Sequence, residues 1–491
     1  MVDTHTKPDT GRLTEAKDGP PRGERPQKLK RTIGVLGGTL LTLSCATPAS
    51  SLFVLVPDLF SSIGTATAAT LLVSILLCVG VAFCYAELGT LVPSAGGEYA
   101  MVSTLTGRLT GWLVFVMSLL VVMIVPPVMS EGVADYLEPV VHIPRSVAGA
   151  AVMLLATLAG LLDLRANAWI TGIFFVLEVV AAAVVAVLGF AHTERGADSL
   201  LHGVLDRNGS PHTVTPILMI SGIAIALFVM QGFTSAVYLS EEMDNPRRNV
   251  ARTVLATLAI GAVIVLLPTI GITLGAPSLP MLTEGNFGAM LAVWGGPAVA
   301  TFVSLCVALA IINASIVMVI QNSRVLFASA RDQAWPTPLN GALARLSNLG
   351  APWVATLVVG VPGAALCFVN LDTLYGVTGV SVTGMYLLVA VATLFARRDR
   401  YRRTQAWRMP LWPVVPLVLV VALSYVLTQQ RSDYLLWTGG ITALAALYWA
   451  CYLRPRQDTR WLVTIPDDTP DTPDTPDTPD ATDVMASTGP R

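Results

Sequence analysis

The sequence predicts an all-α polytopic membrane protein of twelve transmembrane helices, and three observations carry that reading. Of its 491 residues, 54% are hydrophobic and only 13% charged, too few polar groups to cover a soluble core of that size. The apolar residues fall into continuous runs of about 20, the length at which a helix crosses a hydrocarbon layer about 30 Å thick. The runs do not alternate apolar with polar residues, which excludes a β-barrel.

In chain order the candidate spans are 33–57, 64–86, 110–134, 145–163, 167–190, 216–240, 252–274, 298–322, 352–370, 373–396, 410–429 and 434–453. The connections are short except 191–215 and 275–297. Pro126 and Pro127 in the third span should kink or end that helix. The many Gly and Ala residues in the spans suit close helix packing. The six cysteines lie in apolar segments without a CxxC pair, as small buried hydrophobes do. No His/Asp/Glu constellation sits at membrane depth and no Walker loop occurs. An intramembrane enzyme, a resident metal or cofactor, an ATP-driven pump and a nucleic-acid partner are therefore not expected.

Residues 1–31 are polar, carry Pro20, Pro21 and Pro26, and contain no apolar signal core. From Asp467 the chain repeats Thr-Pro-Asp, a composition that cannot bury a core. Residues 1–31 and 456–491 thus read as disordered tails flanking a membrane domain at 32–455. With twelve spans, 26 of the 30 Lys and Arg residues fall on the side of the termini, and only Arg145, Arg195, Arg207 and Arg431 fall opposite. That asymmetry places both termini in the cytoplasm of a plasma-membrane protein.

Two spans are weak as helices. In "LSCATPASSLFVL", residues 43–55, Pro48 removes a donor beside Thr47, Ser50 and Ser51. Broken backbone at membrane depth is tolerated where protein encloses it or a wet cavity meets it, and hydroxyls repairing a simple kink is the alternative. The sixth span, "SGIAIALFVMQGFTSAVYL", places Gln231, Gly232, Thr234 and Ser235 between apolar flanks. Spans one and six correspond if the first ten helices form two five-helix repeats. A matched pair of interrupted helices points to a midplane substrate site. Bare N–H groups at one half-helix end suit a carboxylate and bare carbonyls at the other suit an ammonium, the two ends of an α-amino acid.

Three stretches then resemble one family. "YLSEEMDNPRRNVARTV" (238–254), "YAELGTLVPSAGGEYAMV" (85–102) and "NSRVLFASARDQAWPTPL" (322–339) are similar, in order and spacing, to loops of the amino acid–polyamine–organocation superfamily of permeases. The resemblance covers about 32–455. It implies a leucine-transporter-like fold with inverted repeats at about 32–190 and 216–396, and peripheral helices at about 410–453. The family's carboxylate-binding turn falls on Ala49-Ser50-Ser51, where side chains replace both of its glycines, and its aromatic gate falls on Phe228. The glutamate often found after the helix-six glycine-aromatic pair is Thr234. Substrate contacts are expected from Thr47, Ala49, Ser50, Ser51, Phe228, Gln231, Gly232 and Asn313. Glu241, Glu242, Asn245, Pro246, Arg247, Arg248 and Arg324 form a cytoplasmic loop with a gating role, and Glu87, Glu98, Arg331 and Asp332 are expected to knit cytoplasmic loops together.

The fifth span holds one ionisable residue, Glu178. A charge at that depth costs at least about 2.5 kcal/mol on insertion scales and marks a functional candidate. Glu178 is expected either to bind and release a coupling proton or to remain a protonated, hydrogen-bonded structural acid. The function implied is secondary, proton-coupled uptake of an amino acid across a lipid bilayer. The alternatives are an exchanger and a transport-inactive nutrient receptor. The absence of a second deep carboxylate disfavours strongly cationic substrates, and oligomeric state is not specified.

Overall fold

The computed structural model describes residues 33–94, 96–138, 140–162, 168–207, 209–240, 242–347, 350–398 and 407–462. Both expected tails and Glu241 lie mostly or wholly outside these residues. Among those described, eight helical stretches are long and apolar enough to cross a membrane, and three shorter apolar helices accompany them.

The first stretch runs from Val35 to Leu91 but is not one rod. It comprises α1 (Val35–Ala46), α2 (Pro48–Ile63) and α3 (Thr67–Leu91). Next come α4 (Gly97–Thr106), α5 (Arg108–Glu131), α6 (Val133–Leu137), α7 (Arg145–Leu161) and α8 (Ala168–Ala191). After a short hairpin, α9 (Pro216–Val229) gives way to a 3₁₀ turn at Phe233–Leu239. The remainder is α10 (Pro246–Gly275), α11 (Leu279–Thr283), α12 (Phe287–Arg331), α13 (Thr337–Leu343), α14 (Trp353–Leu366), α15 (Leu371–Leu394), α16 (Val414–Thr428) and α17 (Ser432–Tyr448).

Several sequence expectations shift. Residues 191–215, expected as a long connection, contain a hairpin in which Val204–Arg207 pairs antiparallel with Ser210–Thr213. These strands carry no apolar alternation and Pro211 sits in one of them, so neither resembles a strand by pattern. The eighth expected span begins at the kink Gly296-Pro297, in line with a start at 298: Gly296 (φ 82°) is non-helical and separates a preceding helical stretch over 287–295 from the longer helix that follows. The packed core extends past residue 456. Trp461 is buried at 1% exposure and its ring meets those of Tyr99, Trp112 and Phe115 at 5.1–5.2 Å.

Pro126 and Pro127 do not end α5, which continues to Glu131. Pro126 has no N–H to give the carbonyl four residues back, that of Val122. Asn322 on α12 supplies the missing donor, its Nδ2 reaching Val122 O at 2.7 Å. The amide side chain repairs the helix where proline would have broken it.

Candidate binding cavity between two broken helices

Helix one breaks at Thr47. That residue is left-handed (φ 41°, ψ 59°), a conformation a β-branched residue adopts only under constraint. Pro48 opens α2 at its first position, where its fixed φ suits a helix start and its missing N–H costs nothing. It leaves the Ser44 carbonyl without a donor four residues on. The N–H groups of Ala49 and Ser50 fall in the first turn of α2 and lack intrahelical acceptors. Ser51 N–H donates to Thr47 O at 3.1 Å.

Helix six breaks at the level of this turn. The α-helix stops at Val229, Gly232 sits at φ 115°, and the chain resumes as a tighter 3₁₀ turn. The two breaks touch. A Cβ on Gly232 would lie 2.6 Å from the Ala46 Cβ and 2.9 Å from its Cα. Only glycine offers both the backbone angle and the room.

Beside that contact lies a cavity of about 270 Å³. Helix one contributes Cys45, Ala46 and Ser51, and helix six contributes Phe228, Gln231, Gly232, Thr234, Ser235 and Tyr238. Val121, Val122, Val125, Met318, Val325 and Met385 make an apolar wall. Glu98 and Arg324 are the charged residues on its lining.

A family model described as amino acid permease matches residues 33–447. The chain belongs to the amino acid permease family. Among curated proteins, this permease is 22% identical to the methylthioribose transporter of Bacillus subtilis over 80% of its own length and 87% of the relative's. It is 22% identical to the branched-chain amino acid permease BcaP of the same organism, over 86% and 91% of the two chains. With BcaP of Lactococcus lactis it shares 25% identity over 75% and 80%. Its fold is similar to that of a manganese transporter from Eremococcus coleocola, with TM-score 0.53 and 14% identity over 86% of this chain and 95% of that one. The family is one of transporters, not enzymes.

Of the residues expected to touch substrate, Ser51, Phe228, Gln231 and Gly232 line the permease's cavity, whereas Thr47, Ala49, Ser50 and Asn313 do not. Thr47, Ala49 and Ser50 are buried in the break itself. Asn313 is on the wrong side of α12. The lining residues Met318, Gln321, Asn322, Val325 and Ala328 recur at helical spacing on one face. Nine residues separate Asn313 from Asn322, about half a turn out of phase at 3.6 residues per turn. Asn322 is therefore the cavity asparagine that sequence reading missed.

Glu178 on α8 is 3% exposed and is not on the lining of this cavity. Its Oε1 accepts the Ser50 hydroxyl, and its Oε2 has no partner among the described residues. It thus reaches the cavity through the helix-one turn.

Glu98 is the larger surprise. Expected among the cytoplasmic loops, it lies at the start of α4, 2% exposed, against the cavity. Ser118 Oγ donates to its Oε2 at 3.1 Å. Thr234 of the broken helix six and Tyr85 also face it. Burial pushes the Glu98 carboxyl up to about 7, the donors around it opposing that rise.

Further along α2 stands an aromatic cluster, here termed the seal. Phe53 packs edge-on against Tyr136 at 5.7 Å and Phe287 at 6.4 Å. Pro57 deprives the Phe53 carbonyl of its helical donor, and the Tyr136 hydroxyl replaces it at 2.8 Å. Tyr375 donates to the next carbonyl, Val54 O, at 3.2 Å.

At the opposite end, Asn245 is left-handed (φ 45°) and caps α10, which Pro246 opens. Ile33 N–H donates to Glu242 O at 3.0 Å and Asp244 N–H to Ile33 O at 2.9 Å, so the segments leading into α1 and α10 are tied. Arg324 lines the cavity, and Arg248 lies in the first turn of α10 beside Arg247. Among the expected loop-knitting groups, Asp332 accepts the Tyr99 hydroxyl at 2.8 Å. Arg331 is mostly exposed and only 3.7 Å from Asp332, a weak pair. Glu87 is fully buried and paired with Arg397 at 2.8 Å, while its Oε2 also accepts the Met409 N–H.

Proposed function

We propose that this permease is a secondary transporter carrying a neutral amino acid with an apolar side chain into the cell by alternating access, with a proton as the coupling ion. The observation that carries the reading is the cavity bordered by both helix breaks. In this reading backbone groups of the bordering residues Ala46, Ser51, Gln231 and Gly232 take the substrate's carboxylate and ammonium, while Val121, Val122, Val125, Met318 and Met385 receive the side chain. One carboxylate and one arginine on the lining leave no charge excess for a cationic or anionic side chain. The names of the branched-chain relatives agree with that polarity.

The architecture proposed with it has twelve spans. Each broken helix counts as one span, α7, α14 and α16 cross as the shorter members, and spans one to five and six to ten form inverted repeats. Both termini lie in the cytoplasm of a plasma-membrane protein, on the side of the arginine-rich loops. The sealed aromatic end then faces outward, and the cavity reaches toward the cytoplasm past Tyr99, Tyr238 and Arg324.

In the proposed cycle Glu178 takes a proton from one side and returns it on the other. The ionised carboxylate accepts the Ser50 hydroxyl and fixes the first turn of α2. Protonation turns one carboxyl oxygen into a donor, so the contact rearranges and the helix-one break changes with it. Reconstitution into liposomes tests the reading. An inward proton gradient should drive uptake of leucine, isoleucine or valine into empty vesicles. Flux only with amino acid inside would make it an exchanger, binding without flux a receptor, and preference for methylthioribose would replace the substrate.

A further inference from the structure

On the far side of the aromatic seal lies a second cavity, of about 300 Å³, which the transport reading does not use. Its walls carry Asp58, Glu131, Asp135, Glu138 and Glu284 against a single cation, Arg145. Arg145 already commits its Nε to Asp135 at 2.7 Å. Glu131 is 4% exposed, and its Oε1 has no hydrogen-bond partner among the described residues. Asp58 Oδ2 is buried in the same condition. A buried acceptor left unmade has lost its water without replacement, so both atoms call for a donor that enters the cavity.

We propose that this cavity is a second binding site, selective for a primary ammonium on an organic amine without a carboxylate. An ammonium brings three donors and one positive charge, which suits a wall with an excess of carboxylates and two unpartnered acceptor atoms. Phe53, Val54, Phe287 and Leu371 on the same walls provide apolar surface for an alkyl chain. A zwitterion would bring a carboxylate to a wall with excess negative charge, whose one arginine is engaged. A metal ion fits less well, because no group of three His, Cys, Asp or Glu among the described residues is arranged to hold one.

The site has a mechanical consequence. Asp58 belongs to α2 and Glu131 to the end of α5. A cation bound to the wall that these two helices share adds a link between them, in parallel with the Tyr136–Phe53 hydrogen bond. A bound amine therefore holds the seal shut and slows uptake without competing in the central cavity. Binding itself is independent of the transport reading, and only the inhibition rests on it.

The test is calorimetric titration of the full-length protein in detergent with n-butylammonium chloride, for wild type, Glu131→Gln and Asp58→Asn. Both substitutions are isosteric, and thermal melts identify a variant that has not folded. Saturable binding that weakens at least tenfold in each folded variant is the expected result. In proteoliposomes, external butylammonium should lower the maximal uptake rate and leave KM unchanged. Equal butylammonium affinity in all three proteins would overturn the assignment. So would a Glu131-dependent response to leucine or calcium chloride with none to butylammonium. Glu131-dependent binding in protein that transports nothing would uphold this site and sink the transport reading instead.

Discussion

The Ser50 hydroxyl and Glu178 Oε1 lie 2.5 Å apart, joining the broken turn of helix one to a carboxylate on the fifth span. Through this bond the deepest acid in that span acts on the proposed substrate turn without touching the cavity. The two serines of the turn point different ways, Ser50 to α8 and Ser51 to the cavity.

Replacing Glu178 by Gln keeps the shape and removes the titration. Exchange of labelled for unlabelled amino acid should persist within about threefold, because it needs no net proton movement. Accumulation driven by an inward proton gradient should fall at least tenfold. Ser50→Ala should weaken both, having lost a hydrogen bond to a charged group worth about 1.5–3 kcal/mol. Equal gradient-driven accumulation in wild type and Glu178→Gln would remove the proton role.

Glu98 makes stability depend on pH. Its folded pKa is raised from 4.5 to about 7 by burial. The folded state therefore holds this proton more tightly than the unfolded one. The resulting stabilisation is complete below about pH 4.5 and is lost as pH rises through 7. The span of that change is on the order of 3 kcal/mol. Melting temperature in detergent should fall between pH 5 and pH 8, and Glu98→Gln should flatten the slope. An unchanged slope in the variant would assign the dependence to other groups.

Two prolines are matched by donors from other helices, and each pair can be tested by a double-mutant cycle. Tyr136→Phe strands the Phe53 carbonyl at an expected cost of about 1–3 kcal/mol. In a Pro57→Ala background, residue 57 regains an N–H for that carbonyl, and the same change should cost less than half as much. Denaturation of the four proteins measures the coupling. Additive effects would mean that the tyrosine does not compensate for the proline.

These same pairs mark the limit of what the sequence discloses. The breaks in helices one and six are local: Pro48 and Gly232 carry them in their own backbone chemistry, so both are readable. Apolar runs likewise announce the helices by composition. The fate of Pro126 depends on Asn322, about two hundred residues away, and no local pattern announces such a partner. Glu98 is expected in a cytoplasmic loop because residues 85–102 resemble one in the family, yet packing turns it inward against Ser118 and Thr234. Asn313 was favoured for being polar in an apolar span, but the helical phase that turns it from the cavity is set by tertiary contacts.

Gly232 is the sharpest local test of the two-break geometry. Alanine there would adopt a left-handed φ of 115° and press its Cβ to 2.6 Å from that of Ala46. The backbone term alone costs about 1–2 kcal/mol, and the contact is closer than side chains normally tolerate. Relief requires the two half-helices to separate, which changes the distance between the peptide groups proposed to hold the substrate's two ends. Gly232→Ala should therefore lower leucine uptake at least tenfold and raise KM, with a smaller loss of melting temperature. Gly439→Ala, where a Cβ meets nothing within 4 Å, is the matched control and should leave both unchanged. Uptake unaffected in Gly232→Ala would mean that the substrate does not depend on the approach of helix one to helix six.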